Sequence, residues 1–96
     1  MRPRIRRRIR GPPGVNYFKP AGIRMQELSE VILSYDEYEV VRLIDFEEIG
    51  QIKAGKKMTI SQPTLSRLLK NARKKISEAI IEGKAIRICG GNYKLR

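Results

Sequence analysis

The chain has 96 residues, 41% of them apolar, with six aromatics and no Trp, which suits one small domain with an aliphatic core. It has no His and a single Cys, Cys89, which excludes a His/Cys zinc cluster, an internal disulfide and His- or Cys-based catalysis. Its 21 Lys or Arg against 10 Asp or Glu give a net charge of +11. The pattern predicts a protein with no cofactor and no enzymatic activity, whose partner is a polyanion.

The charge is unevenly placed. Residues 1–26 carry +8, residues 27–48 carry −7 and residues 49–96 carry +10. Two separate basic regions point first to nucleic acid. The longest apolar runs are three residues, far short of the roughly 20 that span a bilayer, and no signal-peptide core follows the basic start. The expectation is therefore a soluble, cytoplasmic, nucleoid-associated protein that does not act on membranes.

In chain order, "MRPRIRRRIRGPPG" holds Arg2, Arg4, Arg6, Arg7, Arg8 and Arg10. Like charges this dense repel one another, so residues 1–14 are expected to form a disordered arm with a Gly-Pro hinge. Such an arm either enters a minor groove or runs along phosphates, or it only adds nonspecific affinity. No amphipathic apolar face accompanies its charge, which disfavours a membrane surface. Residues 15–96 are then the folded domain. In "VNYFKPAGI", Tyr17 and Phe18 beside Pro20 and Gly22 are expected to dock a chain end onto the domain rather than to stack on bases.

The segment Met25–Leu33 reads as either a short helix or a strand. A helix follows, opened by a capping box in "SYDE", with Ser34 as N-cap and Glu37 three residues on. Tyr38, Val40, Val41, Leu43 and Ile44 supply its apolar side, up to Phe46. Its acids would be repelled by phosphate, so this region is expected on the side away from nucleic acid.

A short helix is predicted from Glu48 to about Met58, and a second from Ser61 to Glu82. With Gln51 as the first of twenty positions, Gly55, Met58, Ile60, Leu65 and Leu68 fall on the internal small and apolar positions of a helix-turn-helix, here about residues 51–70. Thr59 departs, at the ninth position, where glycine is usual because the turn wants a positive φ. Ser61 is a natural N-cap and Pro63 falls in the first turn, where its missing N–H is harmless. Winding at about 100° per residue sorts the second helix into two arcs. Leu65, Leu68, Leu69, Ala72, Ile76 and Ala79 share one. Pro63, Ser66, Arg67, Lys70, Arg73, Lys74 and Ser77 share the other, without an acid. A solvated helix face usually mixes Glu with Lys, so this acid-free arc, recognition helix 61–70, is expected to lie in a major groove. Gln62, Thr64, Ser66, Arg67 and Lys70 are the candidate base readers. Lys53, Lys56, Lys57, Arg73 and Lys74 are the candidate phosphate contacts. Ile81 falls on the basic arc and is expected to be covered by the C-terminal segment or by a second copy of the chain. After Gly83, Ala85–Cys89 alternates as a strand, which must pair with the N-terminal segment or with a second copy, because a lone strand is unstable.

The stretches "YFKPAGI", Leu33–Phe46, "SQPTLSRLLKNARKKISEAIIEGKAIRI" and "GGNY" resemble a widespread family of small prokaryotic proteins described only as DNA-binding by prediction. Their helical part is similar to region four of sigma factors. The resemblance implies a mainly α fold of the winged-helix-like DNA-binding superfamily, with short terminal strands. The resemblance supplies no target; the partner expected from the basic regions and the helix-turn-helix is double-stranded DNA, with RNA polymerase and a homodimer mate as further candidates. Many relatives carry cysteines in the arm, which "RPRIRRRIR" lacks, so a metal or redox role there is not expected. Some relatives continue into an iron–molybdenum-cofactor-like domain, which does not occur in these residues. The function expected is sequence-specific DNA binding by a transcriptional regulator. The alternatives are an RNA- or ribosome-associated basic protein and an RNA-polymerase-interacting module.

Overall fold

Ser34 starts the helical part of the chain by the mechanism its sequence implies. In the structure, a computed structural model that describes residues 7–11, 13–91 and 93–95, Glu37 N donates to Ser34 Oγ while Ser34 N donates to Glu37 Oε1 at 2.9 Å. Helix α1, Tyr35–Val41, runs on into a π-helical segment, Arg42–Phe46. Helix α2 spans Gln51–Met58 and helix α3 spans Gln62–Glu82, closed by Gly83 in the left-handed region at φ 68°. The described residues also form five short strands: β1 Arg7–Ile9, β2 Tyr17–Phe18, β3 Glu30–Leu33, β4 Ala85–Ile88 and β5 Tyr93–Leu95. The molecule is mainly helical with two small sheets.

The segment that reads ambiguously, Met25–Leu33, contains both structures: a 3-10 turn at Met25–Glu27, then β3. Strand β4 lies at the centre of the larger sheet, antiparallel to β2 and parallel to β3. Of the two expected partners, the N-terminal segment or a second copy, the first is found within this chain. A parallel neighbour needs a long crossover, and here the three helices between Leu33 and Ala85 form it. Leu33 and Ile88, paired across β3 and β4, are buried in a core shared with Val40, Leu43, Ala54, Met58, Leu65, Leu68, Leu69 and Ala72. Leu65 and Met58 are wholly enclosed, and burying each such side chain contributes about 1.5–3 kcal/mol. Phe46, the last residue of the π-helical segment, is not part of this core: it is 82% exposed.

The expected arm of residues 1–14 is corrected at Arg7–Ile9. These residues pair in parallel with β5, and Ile9 is completely buried where β1 passes α1 and α2. The next residue, Arg10, donates its backbone N–H to Glu39 Oε2 at 2.9 Å. Ile9 contributes apolar burial and Arg10 a hydrogen bond to a buried carboxylate, and together they overcome the repulsion among arginines. The folded body therefore includes residue 7 onward; Arg2, Arg4 and Arg6 lie outside the described residues.

Among the described residues Glu39 is the most deeply placed charge, at 0% exposure. Arg42 meets it with a two-pronged bond, Nε to Oε1 at 2.7 Å and Nη2 to Oε2 at 3.0 Å, and pairs with Glu47 through Nη1. The bond to Glu39, above all, holds the Arg42 pKa above its ordinary value. A charge this buried is tolerated because it is paired and hydrogen-bonded. The result is a fixed junction between α1, the π-helical segment and β1.

Candidate nucleic-acid interface

The candidate interface is built around the turn between α2 and α3. Thr59 ends α2 at φ 60°, ψ 47°, the left-handed conformation. The turn therefore has the positive φ expected at this position, and a β-branched residue carries it at a steric cost. The turn is closed by Ile60 N donating to Gly55 O at 3.0 Å. A Cβ on Gly55 would stand 3.0 Å from that same Ile60 carbonyl oxygen. Gly55 is thus the residue that lets the turn fold back against α2, which offsets its poor helix propensity.

Ser61 caps α3: its Oγ accepts from Thr64 N at 3.4 Å and donates to Thr64 Oγ1 at 2.9 Å, and Pro63 occupies the first turn. The inner arc is found as expected. Leu65, Leu68, Leu69, Ala72 and Ala79 are buried and Ile76 is half-buried. The outer arc faces solvent: Gln62, Pro63, Ser66, Arg67, Lys70, Arg73, Lys74 and Ser77 are all exposed. Lys53, Lys56 and Lys57 stand exposed on α2.

The candidate residues are not equivalent. Arg67, Lys70 and Lys74 make no ion pair among the described residues. Thr64 is half-buried and its hydroxyl is engaged by Ser61, so it serves the cap. Ser66 donates to Gln51 Oε1 at 3.4 Å, which draws Gln51 to the edge of the polar arc. Gln51 is a residue that winding α3 alone misses; its only trace in the sequence is its place as the first of the twenty motif positions. Arg73 is bonded to Asp45, with Nη2 2.5 Å from Oδ1 and Nε 3.2 Å from Oδ2, and this bond raises its pKa. The acidic segment thus supplies an internal partner to a basic neighbour, and at Asp45 it does so at the edge of the basic arc. Asp45 reaches α3 from the π-helical segment that continues α1, the helix packed along α3. Of the arm, Arg8 and Arg10 have exposed side chains.

The far end of α3 differs. Lys75 Nζ donates to Glu37 Oε1 at 2.7 Å, and Lys84 holds Glu78 at 2.7 Å and Glu82 at 3.3 Å. Lys84, chiefly through its hydrogen bond, keeps the Glu78 carboxyl below the usual range, and the two glutamates raise Lys84. Ile80 and Ile81 are 72% and 83% exposed. The described part of the C-terminal segment pairs with β1 instead of covering Ile81. Elsewhere, the Arg87 guanidinium stacks 4.6 Å above the Tyr17 ring and donates to Glu30 Oε1 at 3.0 Å. Tyr17 is thus docked on its own domain. Among the described residues no group of His, Cys, Asp and Glu could hold a metal ion, and no helix is long and apolar enough to cross a membrane.

Comparison with known proteins gives relatives without an assigned activity. The family described as "Protein of unknown function DUF134" matches residues 1–96. A UPF0251 protein of Pelotomaculum thermopropionicum is 49% identical over 94 residues, covering 98% of this chain and 71% of the relative. One from Halothermothrix orenii is also 49% identical, covering 98% and 70%. One from Moorella thermoacetica is 47% identical, covering 98% of this chain and 63% of its own length. No solved structure matches the chain.

Proposed function

Because the chain belongs to the DUF134 family of UPF0251 proteins, whose names state no activity, we propose its function from its surface. It is a sequence-specific DNA-binding protein, a transcriptional regulator whose α2, turn and α3 form a helix-turn-helix similar to sigma region four. The observation that carries this reading is the acid-free, solvent-facing arc on the first part of α3. Two cationic side chains there, Arg67 and Lys70, have no carboxylate partner among the described residues; Lys74 makes no ion pair but lies one turn before Glu78, whose carboxyl it helps Lys84 keep ionised. A chain that needed these charges only for solubility would gain by pairing them with glutamates along the helix. The left-handed Thr59 and the close approach at Gly55 support the same reading, since both belong to the tight turn that such a motif uses.

In this arrangement the first turns of α3 enter the major groove. Arg67 has the fork that fits a guanine edge and Gln62 the amide that fits adenine. Ser66 and Lys70 flank them, and Thr64 holds the cap. Lys53, Lys56, Lys57 and Lys74 grip phosphates and set the register. The test is equilibrium binding of the full chain to duplex DNA as salt is varied. With roughly 6–10 phosphate contacts, affinity should fall about 10³–10⁵-fold between 50 and 200 mM salt. Equal or tighter binding to a structured RNA at matched salt would instead favour the RNA-associated alternative.

A further inference from the structure

Arg73 is the exception on the basic arc. Its side chain is 55% exposed and stands one turn beyond Lys70, yet its guanidinium is already occupied by the Asp45 carboxylate. Nε and Nη2 are the two parallel donors by which a guanidinium binds either a carboxylate or a phosphate. Asp45 thus presents to Arg73 the same two-oxygen edge that a backbone phosphate would present. It is not a loosely tethered surface acid. It stands in the π-helical segment that begins at Arg42, and Arg42 is fixed to Glu39 and Glu47. Among the described residues no other carboxylate bonds a cation of the arc between Gln62 and Lys74.

We propose that Asp45 is a specificity-determining residue: it occupies the phosphate seat of Arg73 and withholds one sequence-independent contact from duplex DNA. The proposal rests on the DNA-binding reading given above. Phosphate contacts strengthen binding to every sequence alike, whereas a regulator must prefer its own site over a large excess of competing duplex. A resident carboxylate lowers the shared part of the affinity and leaves the base-reading residues untouched. Arg73 then steadies the π-helical segment against α3 instead of gripping DNA.

Four proteins test this: the full chain, Asp45→Asn, Arg73→Ala and the double variant. Each is titrated into a labelled mixed-sequence 20-base-pair duplex across 50–200 mM salt, with folding checked by circular dichroism. Asp45→Asn keeps the shape of the side chain and removes its charge. The expected result is that Asp45→Asn tightens binding and steepens the salt dependence by about 0.9 in log–log slope, one phosphate contact. Its advantage over the unaltered chain should shrink roughly three- to fourfold across that salt range. Arg73→Ala should leave the slope of the unaltered chain unchanged, yet lower the slope by about 0.9 in the Asp45→Asn background. Equal loss of slope in both backgrounds would mean that Arg73 already leaves Asp45 for phosphate, and would overturn the proposal. So would an unchanged slope in Asp45→Asn, which would make any gain mere relief of repulsion. If the unaltered chain failed to bind duplex at 50 mM salt, the DNA-binding reading itself would fall, and the proposal with it.

Discussion

In its first part, from Gln62 to Lys74, α3 leaves Arg67 and Lys70 without a carboxylate partner among the described residues. In its second part Lys75 is bonded to Glu37, Glu78 is bonded to Lys84, and two isoleucines stand in solvent. The inner side of the helix is continuous along its length, so packing does not explain the change. What differs is what the outer charges meet. Paired charges hold the molecule's own elements in place, and unpaired charges on one face remain available to a ligand. Arg73, bonded to Asp45, is a structural contact inside the part that otherwise stays open.

The largest effect is expected where a paired charge is also buried. Glu39→Ala leaves Arg42 enclosed without its main partner and should cost about 3–5 kcal/mol in urea denaturation. Arg67→Ala should cost about 1–3 kcal/mol of discrimination at one base pair. It should change folding stability by no more than about 0.5 kcal/mol, as an exposed substitution does. The measurement is competition between single-base variants of a site selected from random duplexes; a uniform loss across variants would remove Arg67 from the base-reading role. Thr59→Gly relieves a left-handed β-branched residue and should raise stability by about 1 kcal/mol in the same denaturation assay. Lys74→Ala should weaken binding to all sequences alike and lower the salt slope by about 0.9. The smallest effect concerns pH. The Glu78 carboxyl is held below its ordinary 4.5 by Lys84, so its contribution to stability is present above that pH and fades as pH falls through the folded value. Lys84→Met should flatten this part of the acid stability profile and leave DNA binding near neutral pH unchanged.

Much of this contrast is written in local signals. Ser61 with Pro63, the Ser34–Glu37 box and the arcs of α3 each depend on residues within a few positions, and each reads directly from the chain. The strand after Gly83 shows itself by alternation, and its need for a partner follows from its isolation. The contacts that were hidden join distant residues. Arg10 meets Glu39 across 29 positions, and Arg73 meets Asp45 across 28. Composition made the first arginines look like a uniform arm, whereas the single Ile9 between Arg8 and Arg10 is the apolar knob that anchors β1. Thr59 was visible as a departure from glycine, but only the backbone shows that the turn keeps its left-handed geometry.

The difference between the two parts can be measured in one experiment, by amide chemical-shift mapping of the isotope-labelled full chain on adding a mixed-sequence duplex at low salt. Shifts should concentrate on residues 53–57 and 62–74, while residues 75–82 and the sheet around Tyr17 and Arg87 stay near their free positions. Shifts centred on that sheet or on Ile80 and Ile81, with the first part of α3 unmoved, would contradict the account.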